Sequence, residues 1–374
     1  MADDAHAPDQ PVATYLRHHL RNLAAWNPTA TSAGEQTQKV RRMDLNECPY
    51  PPSPKVLEAI TAAFARLNRY ADGTCPQLSA RLSGTLGVPA GQICWGPGST
   101  QLLKSVIEIA IAPGEHLVSP SLLWHRFHGI YDALEADATL VPNRPDGSID
   151  VQRLTAAVGN RTRMLVLITP NNPTGMMLSE DEFRHVIHAT PENVLLFIDE
   201  AYHEFAVQAG GPDALELVKA RRGPWIVTRT FSKAYALAGL RLGYALCSSQ
   251  EIANAVKLIT STFVVSGFSE AAALAALDDP DYSRMIVESA ATERRRIMDG
   301  LRAMGCKPLP SVTNFVLADV GRPGVEVVAE MRARGIRISR VQYPEFANSI
   351  RVSMGLPEDT DAFLSTLKEV LGRA

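Results

Sequence analysis

The sequence predicts an α/β protein: a mainly parallel sheet covered by helices on both faces, with a smaller α+β unit towards the C-terminus. Three observations point there. Between about Cys94 and Gly243, short and continuously apolar runs recur: Leu117-Val118, Met164 to Ile168, Val194 to Ile198, Ile226 to Thr228 and Gly243 to Leu246. Helix-length stretches, such as 101–111 and 179–189, separate several of them. Beyond Phe268 the pattern changes to a helical region reaching about Met304, then strand patterns at Asn314–Ala318 and Ser349–Ser353 among helices around 324–334 and 359–371. A strand buried on both faces is apolar throughout rather than alternating, and helices between such strands are the crossovers that parallel pairing needs.

Taken in order, residues 1–11 are polar and read as loosely packed. Val12, Tyr15, Leu16, Leu20 and Leu23 recur at helical spacing, which predicts a short amphipathic helix over 12–25. Residues 27–40 are rich in Thr, Ser, Gln and Gly and read as a connection. The prolines between Asp44 and Pro54 exclude regular structure and favour an extended segment. A helix is predicted to start after Ser53-Pro54, with Val56, Leu57, Ile60 and Phe64 as its apolar stripe. The expected division is an N-terminal arm (1–45), a large domain (46–270) and a small C-terminal domain (271–374) against which the arm can pack.

Composition narrows the function classes. A net charge of −3 gives no footprint for nucleic acid or an anionic membrane. No apolar run is long enough to span a bilayer, and the N-terminus lacks the basic-then-apolar pattern of a secretory signal. The five cysteines (Cys48, Cys75, Cys94, Cys247 and Cys306) are odd in number and form no C-x-x-C pair, so free thiols in a reducing cytoplasm are expected. No metal site is indicated.

The chemistry lies at the predicted strand ends. Met164–Thr169 leads into Pro170-Asn171-Asn172-Pro173-Thr174-Gly175, and Val194–Ile198 into Asp199-Glu200-Ala201-Tyr202. Trp225–Thr228 leads into Arg229-Thr230-Phe231-Ser232-Lys233, followed by Gly239-Leu240-Arg241-Leu242-Gly243. In open parallel sheets ligands sit beyond the carboxyl ends of the strands, so Asn172, Asp199 and Lys233 should meet on one edge. An amine, a carboxylate, a phenol, an amide and a guanidinium are together what a pyridoxal 5'-phosphate site requires. The ordered series resembles the fold-type I pyridoxal-phosphate enzymes, and most closely the histidinol-phosphate aminotransferase branch. The resemblance covers about Asp44 to Leu371 and implies a large domain with a seven-stranded type of sheet.

Each need of that cofactor finds a residue. Lys233 is the candidate for covalent attachment and for moving the substrate's α-proton; an isolated lysine would be a solvated surface residue. Asp199 is placed to keep the pyridine nitrogen protonated, although an Asp after a strand is commonly a turn or cap residue. Tyr202 and Asn172 can bond the ring's phenolic oxygen. Gly96-Pro97-Gly98-Ser99-Thr100 precedes a helical run and offers backbone donors to the phosphate, with Ser232 and Arg241 adding a hydroxyl and a cation.

Further assignments come from the resemblance. It implies that Trp124 stacks on the ring and that Arg351 forks the substrate's α-carboxylate. It also implies that Tyr70 reaches the phosphate of the other subunit in a homodimer with shared sites. The plain alternatives are a core tryptophan, a solvent-facing strand arginine and a core tyrosine. Tyr50 and Arg340 complete the substrate-binding candidates.

The sequence departs from the family pattern at Cys48, within Asn46-Glu47-Cys48-Pro49-Tyr50, and at Trp124 and Phe127, where tyrosines are common. Ser339 falls where histidinol-phosphate enzymes carry an arginine for the substrate phosphate, with Arg337 and Arg340 nearby. The reading is therefore an aminotransferase for an amino acid or amino-alcohol phosphate, with a keto acid as acceptor. The alternative is a decarboxylase, lyase, cyclase or oxidase on the same scaffold. A cofactor-sensing DNA-binding regulator is disfavoured, because the N-terminal residues show no helix-turn-helix pattern.

Overall fold

The computed structural model describes residues 40–260 and 263–372. The predicted helix over 12–25 and the segments flanking it lie outside the described residues.

Thirteen strands occur among the described residues: β1 (Arg41–Arg42), β2 (Ile93–Gly96), β3 (His116–Pro120), β4 (Asp137–Val141), β5 (Thr162–Ile168), β6 (Leu195–Asp199), β7 (Trp225–Thr230), β8 (Gly243–Cys247), β9 (Lys307–Pro308), β10 (Phe315–Asp319), β11 (Ile336–Arg337), β12 (Ser339–Arg340) and β13 (Ser349–Ser353). Seven form the main sheet, in the order β2-β8-β7-β6-β5-β3-β4. Only β8 runs against its neighbours there. The sheet is buried on both faces, and alternate residues divide between two cores. Leu165 and Leu167 of β5 join Leu196, Ile198 and Val227 on one side, whereas Met164, Val166 and Ile168 join Phe197 and Ile226 on the other. This double burial is why the strands read as unbroken apolar runs.

Helix boundaries follow local chemistry. Ser53 caps Pro54–Ala63, its side chain accepting from the Val56 N–H. Ser179 and Glu182 form a reciprocal capping box at the start of Glu180–Ala189. The helical region after Phe268 is two helices, Gly267–Leu277 and Pro280–Ala303; Pro280 starts the second because its missing N–H costs nothing in a first turn. No helix among the described residues is long and apolar enough to cross a membrane.

A second sheet, β12-β13-β10-β9, is antiparallel and packs its apolar side with Ile297, Leu301, Phe363 and Leu367. Strand β1 pairs in parallel with β11, and the segment after it continues between β11 and β13. There the Met43 N–H donates to Arg337 O and the Ser353 N–H to Met43 O. This threading brings Asp44–Glu47 to the edge where β5, β6 and β7 end.

Candidate active site

Strands β7, β6 and β5 are adjacent and parallel, so the residues following them share one edge. Strand β2 pairs antiparallel with β8, which is itself antiparallel to β7, so β2 delivers Gly96–Thr100 to that same edge. A cavity of about 350 Å3 opens there, bordered by Gly98, Ser99, Thr100, Asn172, Asp199 and Tyr202 on the strand-end side. Ser232, Lys233, Arg241, Trp124 and Arg351 also line it.

Asp199 ends β6 and is 8% exposed. Its Oδ1 accepts from the Thr228 hydroxyl at 3.2 Å. Among the described residues no cation pairs with it, and burial pushes its carboxyl up to about 7, against the pull of Thr228 and the Ala201 N–H. The Lys233 amine donates to Asn46 O at 2.9 Å and Leu45 O at 3.3 Å. Burial lowers it to about 8, helped by the Arg351 and Arg241 charges and opposed by Glu47. A cavity that holds an unpaired acid and a partly neutral amine suits a ligand with one cationic and one electrophilic end.

Tyr202 accepts from Asn46 Nδ2 at 2.8 Å, and its ring meets Phe315 edge-on at 5.4 Å. Burial raises its phenol to about 12. Arg351 donates to Asn172 Oδ1 at 2.7 Å and to Asp44 O at 3.0 Å, and lies 5.4 Å over the Phe315 ring. Its buried Nε has no hydrogen-bond partner among the described residues.

The helix Ser99–Ala110 has Gly98 at its N-cap with no side-chain cap, so its first N–H groups are open to an anion. Gly98 has φ +86°, and a Cβ there would fall 2.5 Å from Arg241 Nη2. A Cβ on Gly243 would fall 2.6 Å from the Ser99 nitrogen. Only glycine lets the turn, the helix start and the guanidinium approach so closely. Ser232 accepts from the Thr230 hydroxyl at 2.9 Å beside them. The chemistry of these donors fits a phosphate at the cradle, and Asp199 fits a protonated ring nitrogen.

The model for the aminotransferase class I and II family matches residues 38–367. The chain belongs to the class I and II aminotransferases. Histidinol-phosphate aminotransferase 2 of Pseudomonas aeruginosa is 36% identical to it, over 91% of this chain and 92% of its own length. The aromatic amino acid aminotransferase of Streptomyces coelicolor is 33% identical, over 95% and 97%. The crystal structure of histidinol-phosphate aminotransferase from Sinorhizobium meliloti in complex with pyridoxal-5'-phosphate matches with a TM-score of 0.88 at 31% identity, covering 96% of this chain and 98% of that one. The fold is that of the fold-type I pyridoxal-phosphate transferases, and the enzyme is a pyridoxal-phosphate-dependent aminotransferase.

Not every candidate residue of this aminotransferase reaches the cavity. Arg340 is solvent-exposed, and β12 registers Ser339, not Arg340, opposite Arg351. Neighbours on a strand face opposite sides, so Ser339 shares the face of Arg351 and Arg340 points away. Arg337 is buried against Asp44 at 3.2 Å. Tyr50 borders only a small neighbouring cavity, with its hydroxyl 2.7 Å from Ser289 Oγ. Tyr70 is 84% exposed and stacked on Phe263 at 4.6 Å, so it is not a core residue.

Two polar features, one in the site and one beside it, carry no sequence signal of their own. Asn46 was visible only as part of a motif, and its partners lie up to 307 residues away. The Arg229–Glu200 pair, which joins β7 to the residue after β6, carries no local signature beyond its charges.

Proposed function

We propose that this aminotransferase takes its amino group from an α-amino acid bound through its carboxylate, in a homodimer with shared sites. The observation that carries the reading is the convergence of Lys233, Asp199 and the Gly98–Thr100 cradle on one cavity. When bound, pyridoxal phosphate supplies an electron sink for bonds at the substrate's α-carbon. Lys233 would attach the cofactor and carry the α-proton; an amine lowered to about 8 is suited to both tasks near neutral pH. Asp199 holds the proton on the ring nitrogen. Tyr202 and Asn172 would bond the phenolic oxygen, and Trp124 would cover one ring face. Ser99, Thr100, Ser232 and Arg241 hold the phosphate with the helix N–H groups.

Arg351 exchanges its bond to Asn172 for the substrate carboxylate, which it grips as a fork. The position opposite it on β12 is Ser339, and Arg340 faces solvent, so β12 adds no second cation for a substrate phosphate. That favours a carboxylate-bearing amino acid over an amino-alcohol phosphate. The second reading, histidinol phosphate, is supported by what the Pseudomonas and Sinorhizobium relatives are named for.

Dimer formation is supported by an exposed apolar strip. Leu57, Phe64, Leu67 and Tyr70 follow one another from the helix Pro54–Ala63 onward, and Phe263 is stacked on Tyr70. A second copy covering this strip would bring Tyr70 towards its phosphate cradle. All five cysteines are free, which fits a cytoplasmic enzyme.

The test is a donor screen with the cofactor-loaded enzyme, following keto product and the pyridoxamine form of the cofactor by mass spectrometry. An α-amino acid should exceed histidinol phosphate by about tenfold or more in kcat/KM. The reverse preference would establish the second reading.

A further inference from the structure

Asn46 borders the cavity beside Lys233 and Tyr202, and the roles assigned so far leave it out. It is 2% exposed and has φ +55°, a conformation that Asn and Asp tolerate better than other side chains. Its backbone N–H donates to Ser353 Oγ at 2.8 Å, and the Ser353 hydroxyl donates back to Asn46 Oδ1 at 3.0 Å. A backbone N–H can only donate, and a serine hydroxyl has one proton. With the amide turned over, Ser353 Oγ would meet two N–H donors and its own proton would have no acceptor among the described residues, so the closed loop assigns Oδ1 to the Ser353 side. The other end, Nδ2, donates to the Tyr202 hydroxyl oxygen at 2.8 Å. The Asn46 carbonyl is also held, accepting from Lys233 Nζ at 2.9 Å and Asn314 Nδ2 at 3.0 Å.

A phenolic oxygen that accepts an N–H on one side keeps its own proton for another partner. The geometry points to Asn46 as a positioning residue that sets the direction of the Tyr202 hydroxyl, so that Tyr202 donates into the cavity, to the anionic oxygen of the bound ring. This rests on the proposed placement of Tyr202 against that oxygen. Ser353 is part of the device, because without its hydroxyl the amide is free to turn over. A carboxylate at position 46 would invert the arrangement: it has no proton to give, so the phenol would donate to it instead. The other charges near Tyr202 are Arg351 from β13 and Asp199 from β6, with Lys233 after β7; none changes in the variants below.

The experiment is a pH titration of the visible absorption band of the cofactor-loaded enzyme for wild type, Asn46→Asp, Tyr202→Phe and the double variant. Tyr202→Phe removes a donor to the ring oxygen, which leaves that oxygen more negative and raises the midpoint. Asn46→Asp is expected to raise it by about one to two pH units, what one charge-assisted hydrogen bond is worth. In the Tyr202→Phe background the same substitution should lose at least half of its effect. Equal shifts in both backgrounds would show a through-space charge effect alone and overturn the proposal while sparing the placement of Tyr202. A midpoint that Tyr202→Phe leaves unmoved would overturn that placement and the proposal with it. Should Asn46→Asp not fold, Ser353→Ala serves in its place. Its expected shift is upward, about half a unit, and dependent on Tyr202; an unshifted midpoint there counts against Asn46.

Discussion

Asp199 and Glu200 are consecutive, both are nearly inaccessible, and burial pushes both carboxyls upward. Glu200 does not border the cavity. It meets Arg229, 2.8 Å away in the ion pair and itself buried, and that guanidinium, with His203, brings Glu200 down to about 2 against the effect of burial. Arg229 also pairs with Asp213 at 3.0 Å, so the cluster of Glu200, His203 and Asp213 has its cation already. Asp199 borders the cavity with only a hydroxyl and an N–H for company, and rises to about 7. One acid is satisfied by the chain; the other is left short of a positive partner. In a buried site such a deficit marks Asp199, rather than Glu200, as the candidate to meet a ligand's positive end.

The largest effect should come from removing the amine that lines the cavity together with Asp199. Lys233→Ala should lose covalent retention of the cofactor and its visible absorbance, with turnover falling by about 10⁴-fold, the upper range of general acid–base catalysis. Spectra after gel filtration and single-turnover kinetics measure both. Next come the two acids. Asp199→Asn should lower turnover by about 10²–10³-fold, an electrostatic effect, with no loss of melting temperature. Glu200→Gln should do the opposite: it leaves Arg229 with Asp213 alone and should cost about 3 kcal/mol of stability, with turnover of the folded fraction within about tenfold. If denaturant melts and kinetics give the reverse assignment, the contrast between the acids is wrong.

A smaller contrast concerns two arginines. Arg351→Ala should raise KM for amino acid donors by about 10–100-fold, the worth of a charge-assisted fork, and leave cofactor retention intact. Arg340→Ala should stay within about twofold on both measures, because its side chain meets solvent. Equal damage to donor binding and cofactor retention in Arg351→Ala would make Arg351 a structural residue.

What the sequence disclosed follows from locality. Lys233, Asp199 and Asn172 were legible because each stands just past an unbroken apolar run, and parallel strands bring such positions to one edge. Strand β4 was missed because it lies at the sheet edge, where Asp137, Thr139 and Leu140 are exposed and break the apolar pattern. Strand β2 was missed because it has only four residues and ends in the glycine turn. The choice between Ser339 and Arg340 depends on one residue of register against β13, which no local pattern fixes. Asn46 is the extreme case: the segment carrying it is irregular, and its meaning comes from Ser353 and Tyr202, 307 and 156 positions away.

The acids also differ in how they couple stability to pH, an effect best seen in the cofactor-stripped enzyme. Asp199 has a folded-state value of about 7, above its ordinary 3.8, so the folded chain keeps a proton that the unfolded chain has released. Its contribution is full below the unfolded value and is lost as pH rises through the folded one, so stability should fall between pH 5 and 7. The slope from this one group approaches about 1.4 kcal/mol per pH unit. Glu200, held at about 2, is ionised across that window, and Lys233, at about 8, is mostly protonated through it, so neither contributes much to the slope. An amide has no proton to release in this range, so Asp199→Asn should gain stability relative to wild type as pH rises. Other titrating groups are common to both proteins, and calorimetry of the two at pH 5, 6 and 7 isolates the difference. Parallel curves would mean that Asp199 is already ionised without the cofactor, and that its charge has a partner the contrast with Glu200 denies it.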